Sequence, residues 1–132
     1  MNARRPLCSP GTSDTLSGRL GGFVAACRYE HLAAPIVAAL KLRILDTLGA
    51  GMAGAQLRNH VALLPLLQPG EVPVWGTARQ VTLRDGAMVN AFLVHSTYLE
   101  DGSRYTGGHP SSVVIPAVWQ WLRRMQHRVA RS

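Results

Sequence analysis

The sequence predicts a mainly α protein, and three observations favour that class. Apolar residues recur every three or four positions in several segments, which is the spacing that places them on one face of a helix. Clusters of Gly and Pro separate these segments and mark turns. With 132 residues, 47% hydrophobic and 16% charged, the chain is long enough for one domain with a modest core.

A first helix is expected after a flexible lead-in. Residues 1–13 form that lead-in because they are rich in Pro, Gly, Ser and Arg. Ser13 or Asp14 is then positioned to cap a helix. The apolar residues of this helix are spaced by three and four positions: Leu16, Leu20, Phe23, Val24 and Cys27. Glycines within it lower its helix propensity, so its stability must come from packing.

The second predicted helix has the clearest periodicity in the chain. Pro35 suits a first helical turn, where the missing N–H of proline is not needed. Apolar residues follow at intervals of four: Ile36, Leu40, Ile44 and Leu48. The small residues between Asp46 and Gly54 are short enough for another helix or a backbone segment to approach closely.

A brief extended piece and a third helix are expected next. Residues 72–76 form the extended piece, which enters a turn at Gly76. Asp85 is a plausible cap for a helix that runs from Gly86 to about Leu99. The predicted core face of this helix consists of Met88, Phe92, His95 and Leu99.

A final helix is predicted after the polar, glycine-rich segment 101–110. Ser111 or Ser112 is expected to cap it. Its predicted apolar face consists of Val114, Val118, Leu122 and Met125. The sequence therefore predicts one helical domain over residues 14–122 and a basic tail over residues 123–132.

The net charge of +7 is concentrated at the two ends of the chain. Six of the 14 basic residues lie there: Arg4, Arg5, Arg123, Arg124, Arg128 and Arg131. The remaining eight nearly balance the seven acidic residues. The sequence has no zinc-finger spacing and no helix-turn-helix pattern. It also lacks a basic stripe with interleaved aromatic residues, so the charge has none of the usual features of a nucleic-acid-binding protein. The sequence therefore argues against nucleic acid as a partner.

The expected compartment is the cytoplasm. Cys8 and Cys27 are far from any CxxC spacing, which argues against a zinc site and a disulfide framework. Charged residues and proline interrupt the apolar runs before they reach membrane-spanning length, so no membrane partner is expected. Pro6 and Pro10 lie where a secretory signal would need a continuous apolar stretch.

Two stretches resemble the MmgE/PrpD family. Residues 23–55, FVAACRYEHLAAPIVAALKLRILDTLGAGMAGA, are similar to the opening helices of the family, with its LDtlG signature at residues 45–49. Residues 74–117 are similar to the family segment in which Asn and Ala precede a helix that ends in His and an acidic cluster, followed by HP. The resemblance implies an all-α amino-terminal domain, a homodimer and activity without a metal or organic cofactor.

The resemblance also implies a class of reaction. Family activities include 2-methylcitrate dehydration, cis-aconitate decarboxylation and iminodisuccinate epimerisation. Each of these moves a proton next to a carboxylate of a small di- or tricarboxylate, which requires a positioned acid or base and groups that hold negative charge. The chain is therefore expected to be a lyase or isomerase segment.

The family's site residues carry over to six positions of this sequence. His109, in the HPSS motif, and Asp101 take the catalytic roles, since an imidazole that titrates near neutrality can exchange a proton with carbon. Four residues are expected to bind the substrate: Arg104, Glu100, His95 and Ser111. Arg104 can pair with a carboxylate, and the start of the last helix, at Ser111, offers backbone N–H groups.

Departures from the family pattern leave alternatives open. Tyr98 replaces a common acidic residue, and the Asp-Gly-x-Arg form at residues 101–104 favours the epimerase-like branch. Other catalytic residues of the family come from later segments, so the chain is expected to be an amino-terminal fragment with an incomplete catalytic set. His95 can instead be a buried structural histidine. The alternative function is a non-catalytic truncated remnant whose apolar faces associate with a partner chain.

Overall fold

The computed structural model describes residues 15–105 and 107–129. The elements follow in the order α1 (Leu16–Ala26), α2 (Ala34–Gln56), β1 (Pro69–Pro73), β2 (Gln80–Val81), α3 (Leu83–His95) and α4 (Pro110–Val129). Short 3-10 helices lie at Tyr29–His31 and Asn59–Leu66, and β1 pairs antiparallel with β2. The protein is mainly α, which confirms the predicted class. The predicted lead-in, residues 1–13, lies outside the described part of the chain.

The chain divides into two compact units, residues 1–37 and 38–132. The first unit contains α1, whose N-cap is Thr15: its side chain accepts a hydrogen bond from the Gly18 N–H at 3.0 Å. The cap residues expected from the sequence, Ser13 and Asp14, lie outside the described residues. No residue of α1 is buried.

The core of the second unit combines side chains from α2, the two-stranded sheet and α3. Its buried apolar residues are Ala50, Ala55, Leu67, Val72, Val74, Trp75, Val81, Val89, Leu93 and Val94. Trp119 of α4 packs against this core while remaining partly exposed. None of the described helices is long and apolar enough to cross a membrane.

The small residues of α2 permit the close approach that the sequence predicts. A Cβ added at Gly51 would lie 2.6 Å from the ring of Trp75. A Cβ added at Gly54 would overlap the carbonyl oxygen of Leu93 in α3. These two glycines therefore allow the backbone of α2 to contact the core where no larger residue fits.

Helix α3 begins earlier than predicted, and its cap is Thr82 instead of Asp85. The Thr82 side chain accepts a hydrogen bond from the Asp85 N–H at 3.3 Å, as an N-cap does for the third residue of a helix. Asp85 lies in the first turn, where its carboxylate accepts a hydrogen bond from the Gln68 N–H at 2.8 Å. Asp85 thus ties the start of α3 to the segment before β1.

The predicted core face of α3 is wrong. Met88 and Phe92 are exposed, whereas the residues buried on this helix are Asp85, Gly86, Val89, Asn90, Leu93 and Val94. Asn90 tolerates burial because its side chain is paired on both sides: Oδ1 accepts from the Trp75 N–H at 2.9 Å and Nδ2 donates to the Pro73 carbonyl at 3.0 Å.

The predicted start and apolar face of the final helix are also wrong. Helix α4 begins at Pro110, and the Ser112 hydroxyl donates to the His109 carbonyl at 2.7 Å instead of capping the helix. Its buried residues are Ser111, Ser112, Pro116 and Gln120, whereas the predicted face is exposed: Val114, Val118, Leu122 and Met125. Gln120 is held inside because its Nε2 donates to the Pro73 carbonyl at 3.0 Å.

Helix α4 continues to Val129. Residues 123–129 of the predicted basic tail are thus helical, and residues 130–132 lie outside the described part of the chain. Pro116 lies inside α4 and is buried.

Candidate functional site

The connection between α3 and α4 brings most of the predicted site residues together. His95 is the last residue of α3, and His109 directly precedes Pro110, the first residue of α4. Glu100 and Asp101 lie in the connection between them. The two histidines are therefore brought close by the ends of two helices that pack against each other.

The connection folds back on itself through backbone hydrogen bonds. The Ser103 N–H donates to the Gly108 carbonyl at 2.8 Å, and the Gly107 N–H donates to the Ser103 carbonyl at 2.9 Å. Gly107 has a φ of +65°, a left-handed conformation that glycine adopts without steric cost. Tyr98 has a φ of +52°, which is uncommon for a residue with a side chain.

His95, Glu100 and His109 form a cluster, here called the His–Glu cluster. The Glu100 carboxylate is fully buried, and its Oε1 lies 2.6 Å from Nδ1 of His95 and 3.6 Å from Nδ1 of His109. The two imidazole rings have centroids 5.2 Å apart in an edge-to-face arrangement. His95 is partly exposed, so it is not the buried structural histidine of the alternative prediction.

A backbone carbonyl fixes the orientation of His109. Nδ1 of His109 lies 3.0 Å from the carbonyl oxygen of Asp101. Because a carbonyl oxygen only accepts hydrogen bonds, Nδ1 carries a proton and donates it. The other ring nitrogen, Nε2, then holds the lone pair whenever the imidazole is neutral.

A cleft of about 520 Å³ lies beside the His–Glu cluster. Both histidines line it, together with Ala91, Phe92, Tyr98, Gly107, Gly108, Ser112 and Val113. The Tyr98 ring lies 4.9 Å from His95 and 6.2 Å from His109 between centroids. We call this space the histidine cleft.

Asp101 uses both carboxylate oxygens within the protein. Oδ1 accepts a hydrogen bond from the Ser111 N–H at 3.1 Å, where the start of a helix favours negative charge. Oδ2 forms an ion pair with the guanidinium group of Arg43. Asp101 therefore joins α2 to the first turn of α4.

A second cleft, of about 600 Å³, surrounds this ion pair. It is lined by Leu40, Arg43, Asp101, Gly102, Ser103, Arg104, Tyr105, Pro110, Ser111, Val114 and Ile115. Arg43 and Arg104 give it two guanidinium groups, so we call it the arginine cleft. Arg43 was not among the residues predicted from the sequence; the only signal was a basic residue two positions before the LDTLG signature.

The six predicted site residues thus divide between two clefts. Asp101, Arg104 and Ser111 line the arginine cleft, and His95 and His109 line the histidine cleft. Glu100 lies in neither cleft and contacts both histidines from the buried side.

Within residues 15–105 and 107–129, no three His, Cys, Asp or Glu side chains are grouped as metal ligands. The two clefts present imidazole, carboxylate, phenol and guanidinium groups of the chain.

The fold and the clefts define a mainly α domain with paired imidazoles beside an arginine-lined cavity. Residues 18–129 match the MmgE/PrpD N-terminal domain family, and the chain belongs to that family. The match includes every residue that lines either cleft. None of the curated proteins and none of the solved structures compared with the chain matches it.

Proposed function

We propose that the chain carries part of a proton-transfer site for small di- or tricarboxylates, as a segment of a lyase or isomerase. The observation that supports this most directly is the geometry of His109. Its Nδ1 is engaged by the Asp101 carbonyl, and its ring lines the histidine cleft. Nε2 is then the atom suited to take a proton from a carbon next to a carboxylate, or to return it.

The arginine cleft supports carboxylates as the substrate class. A guanidinium group pairs with a carboxylate through two parallel hydrogen bonds, and Arg43 and Arg104 both line this cleft. We propose that Arg104 binds one carboxylate group of the substrate. Ser111 contributes the backbone at the start of α4, where its N–H already holds the Asp101 carboxylate.

In this proposal Asp101 does not contact the substrate; it positions the side chains of His109 and Arg43. Its carbonyl oxygen accepts from His109, and its carboxylate oxygens hold Arg43 and Ser111. The proposal retains further expectations from the family resemblance: no metal or organic cofactor, a homodimer and a cytoplasmic location.

Titration of the chain with small acids tests the proposed function. The backbone amides of Gly108 and Ser112, which line the histidine cleft, are followed by two-dimensional NMR while citrate or iminodisuccinate is added. We expect saturable shifts with these acids and none with acetate, which has one carboxylate. His109→Ala should weaken binding by at least about tenfold, equivalent to about 1.4 kcal/mol.

The matched control is His31→Ala, which removes an exposed histidine from the first unit. This variant should bind as the wild type does. A flat titration of the folded wild-type chain, or equal weakening by both variants, would contradict the carboxylate proposal.

A second candidate is a non-catalytic helical remnant that associates with a partner chain. The observation that favours it is the exposed apolar face of α4, formed by Val114, Val118, Trp121, Leu122 and Met125. An apolar face of this kind on a soluble protein commonly marks a surface that another chain covers.

A further inference from the structure

Glu100 has an unusual environment for a carboxylate. Its side chain is fully buried, and Oε2 has no hydrogen-bond partner among the described residues. The contacts of the carboxylate are made by Oε1, to Nδ1 of His95 and Nδ1 of His109. One buried oxygen therefore lies within hydrogen-bond distance of His95 and close to the ring of His109.

Because Glu100 is buried, it matters which atom of each contact donates the hydrogen and which accepts it. A buried carboxylate has lost its hydrogen bonds to water and needs donors from the protein. When ionised it can only accept, so the imidazole atom that faces it must carry the proton. The proton of His95 is thereby placed on Nδ1, as the Asp101 carbonyl already places that of His109.

The two rings thus carry the proton on the same nitrogen, Nδ1, although two different acceptors fix it. Both have Nδ1 turned towards Glu100, and both line the histidine cleft. The hydrogen bond at one ring nitrogen determines which nitrogen is left to react. In each ring that nitrogen is Nε2.

We propose that Glu100 is a positioning residue: its Oε1 holds His95 with the proton on Nδ1, as the Asp101 carbonyl does for His109, so that both rings offer Nε2 as a proton acceptor. This inference rests on the proposed function and changes the expected role of Glu100 from substrate binding to positioning. It also makes His95 a second proton-transfer group of the histidine cleft, beside His109.

Nitrogen NMR of the imidazole rings tests the inference without any ligand. The wild-type chain is labelled with ¹⁵N-histidine and measured in alkaline solution, where an ordinary imidazole is neutral. We expect a pyrrole-type Nδ1 signal and a pyridine-type Nε2 signal for both His95 and His109. The spectra of His95→Gln and His109→Gln assign the two sets of signals.

Glu100→Gln is the decisive variant because it keeps the shape of the side chain and removes the charge. Its amide can face His95 with a donor, so we expect His95 to become a mixture of both tautomers. His109 should change less because the Asp101 carbonyl still accepts from its Nδ1. Glu30→Gln, at an exposed position of the first unit, is the matched control and should leave both rings unchanged.

Glu100→Asp keeps the charge and withdraws the oxygens by about 1.5 Å, the length of one carbon–carbon bond. It should restore the wild-type tautomer of His95 at least partly, and it provides a second variant if Glu100→Gln does not fold. A wild-type His95 with its proton on Nε2, or an unchanged His95 in folded Glu100→Gln, would overturn the inference. Since no acid is added, failure of the carboxylate titration would leave this result standing.

Discussion

Two adjacent acidic residues have different environments in this protein. Glu100 is buried and contacts two imidazole rings, whereas Asp101 binds Arg43 and the first turn of α4. Their side chains thus have separate partners although the two residues are neighbours in the chain. The acidic pair therefore cannot be assigned one shared role, and each residue needs its own variant.

Asp85 is a third acidic residue with a defined environment. The hydrogen bond from the Gln68 N–H lowers the pKa of Asp85 below its ordinary value of 3.8, although burial opposes this effect, and Thr82 and Arg84 add to the lowering. Because the folded state favours the carboxylate, its contribution to stability is present above the unfolded pKa. It is lost as the pH falls through the lower folded pKa.

We therefore predict that Asp85→Asn reduces the acid dependence of stability. The variant should be less stable than the wild type at neutral pH, and the difference should shrink between about pH 5 and pH 2. Urea unfolding at several pH values measures this. Asp46→Asn, at an exposed position of α2, is the control; profiles of Asp85→Asn and wild type that stay parallel into acid would contradict the prediction.

Within α2, two glycines of the same helix have opposite surroundings. Gly54 has no room for a Cβ because the Leu93 carbonyl occupies that position, whereas Gly49 faces open space. Glycine in a helix costs stability relative to alanine unless packing requires it. The same substitution should therefore have opposite effects at these two positions.

We predict that Gly54→Ala lowers the free energy of unfolding by about 1–3 kcal/mol or more, because the backbone of α2 must move away from α3. Gly49→Ala should raise it by about 0.5–1 kcal/mol. Thermal or urea unfolding of both variants measures the difference. A neutral Gly54→Ala would show that α2 does not lie against α3 as described, and destabilisation by Gly49→Ala would contradict the open space at that position.

The existence of the helices was predictable from sequence, but two of their buried faces were not. Spacing of apolar residues predicted helices close to α2, α3 and α4. The buried faces of α3 and α4 instead include Asn90 and Gln120, which are polar and are accepted because both bond the Pro73 carbonyl. A periodicity of apolar residues cannot reveal a polar face that is satisfied by a distant backbone oxygen.

The candidate site was predictable only where it is local in sequence. His95, Glu100, Asp101 and His109 lie within one connection, and the family resemblance identified them. Arg43 pairs with Asp101 across 58 residues, and no local pattern connects the two. The division of the site residues into two clefts was equally unpredictable. It depends on the side of the connection towards which each side chain points, and the sequence does not give that direction.

Across the second unit, the exposed surface includes apolar faces that the core does not use. Val118 and Leu122 lie four residues apart on α4 and are each about half exposed. Burying such side chains against another chain is favourable because apolar surface leaves water. The whole chain is therefore expected to associate with itself or with a partner chain through α4.

We predict that Val118→Gln combined with Leu122→Gln weakens self-association of the chain by at least about tenfold in Kd. Sedimentation velocity over a range of protein concentrations measures this. Arg123→Gln, which changes the exposed polar residue directly after Leu122, is the control. A wild-type chain that stays monomeric, or a double variant that associates as strongly, would contradict the remnant proposal.

Asp101 also sets up a competition that extends across the second unit. Its carboxylate occupies the guanidinium group of Arg43, while its carbonyl oxygen holds the ring of His109. An incoming anion that binds Arg43 must displace this internal carboxylate, which then remains attached to α4 through Ser111 alone. One residue thus contacts the guanidinium group of the arginine cleft through its side chain and the imidazole of the histidine cleft through its backbone, so we expect an anion in one cleft to be felt in the other.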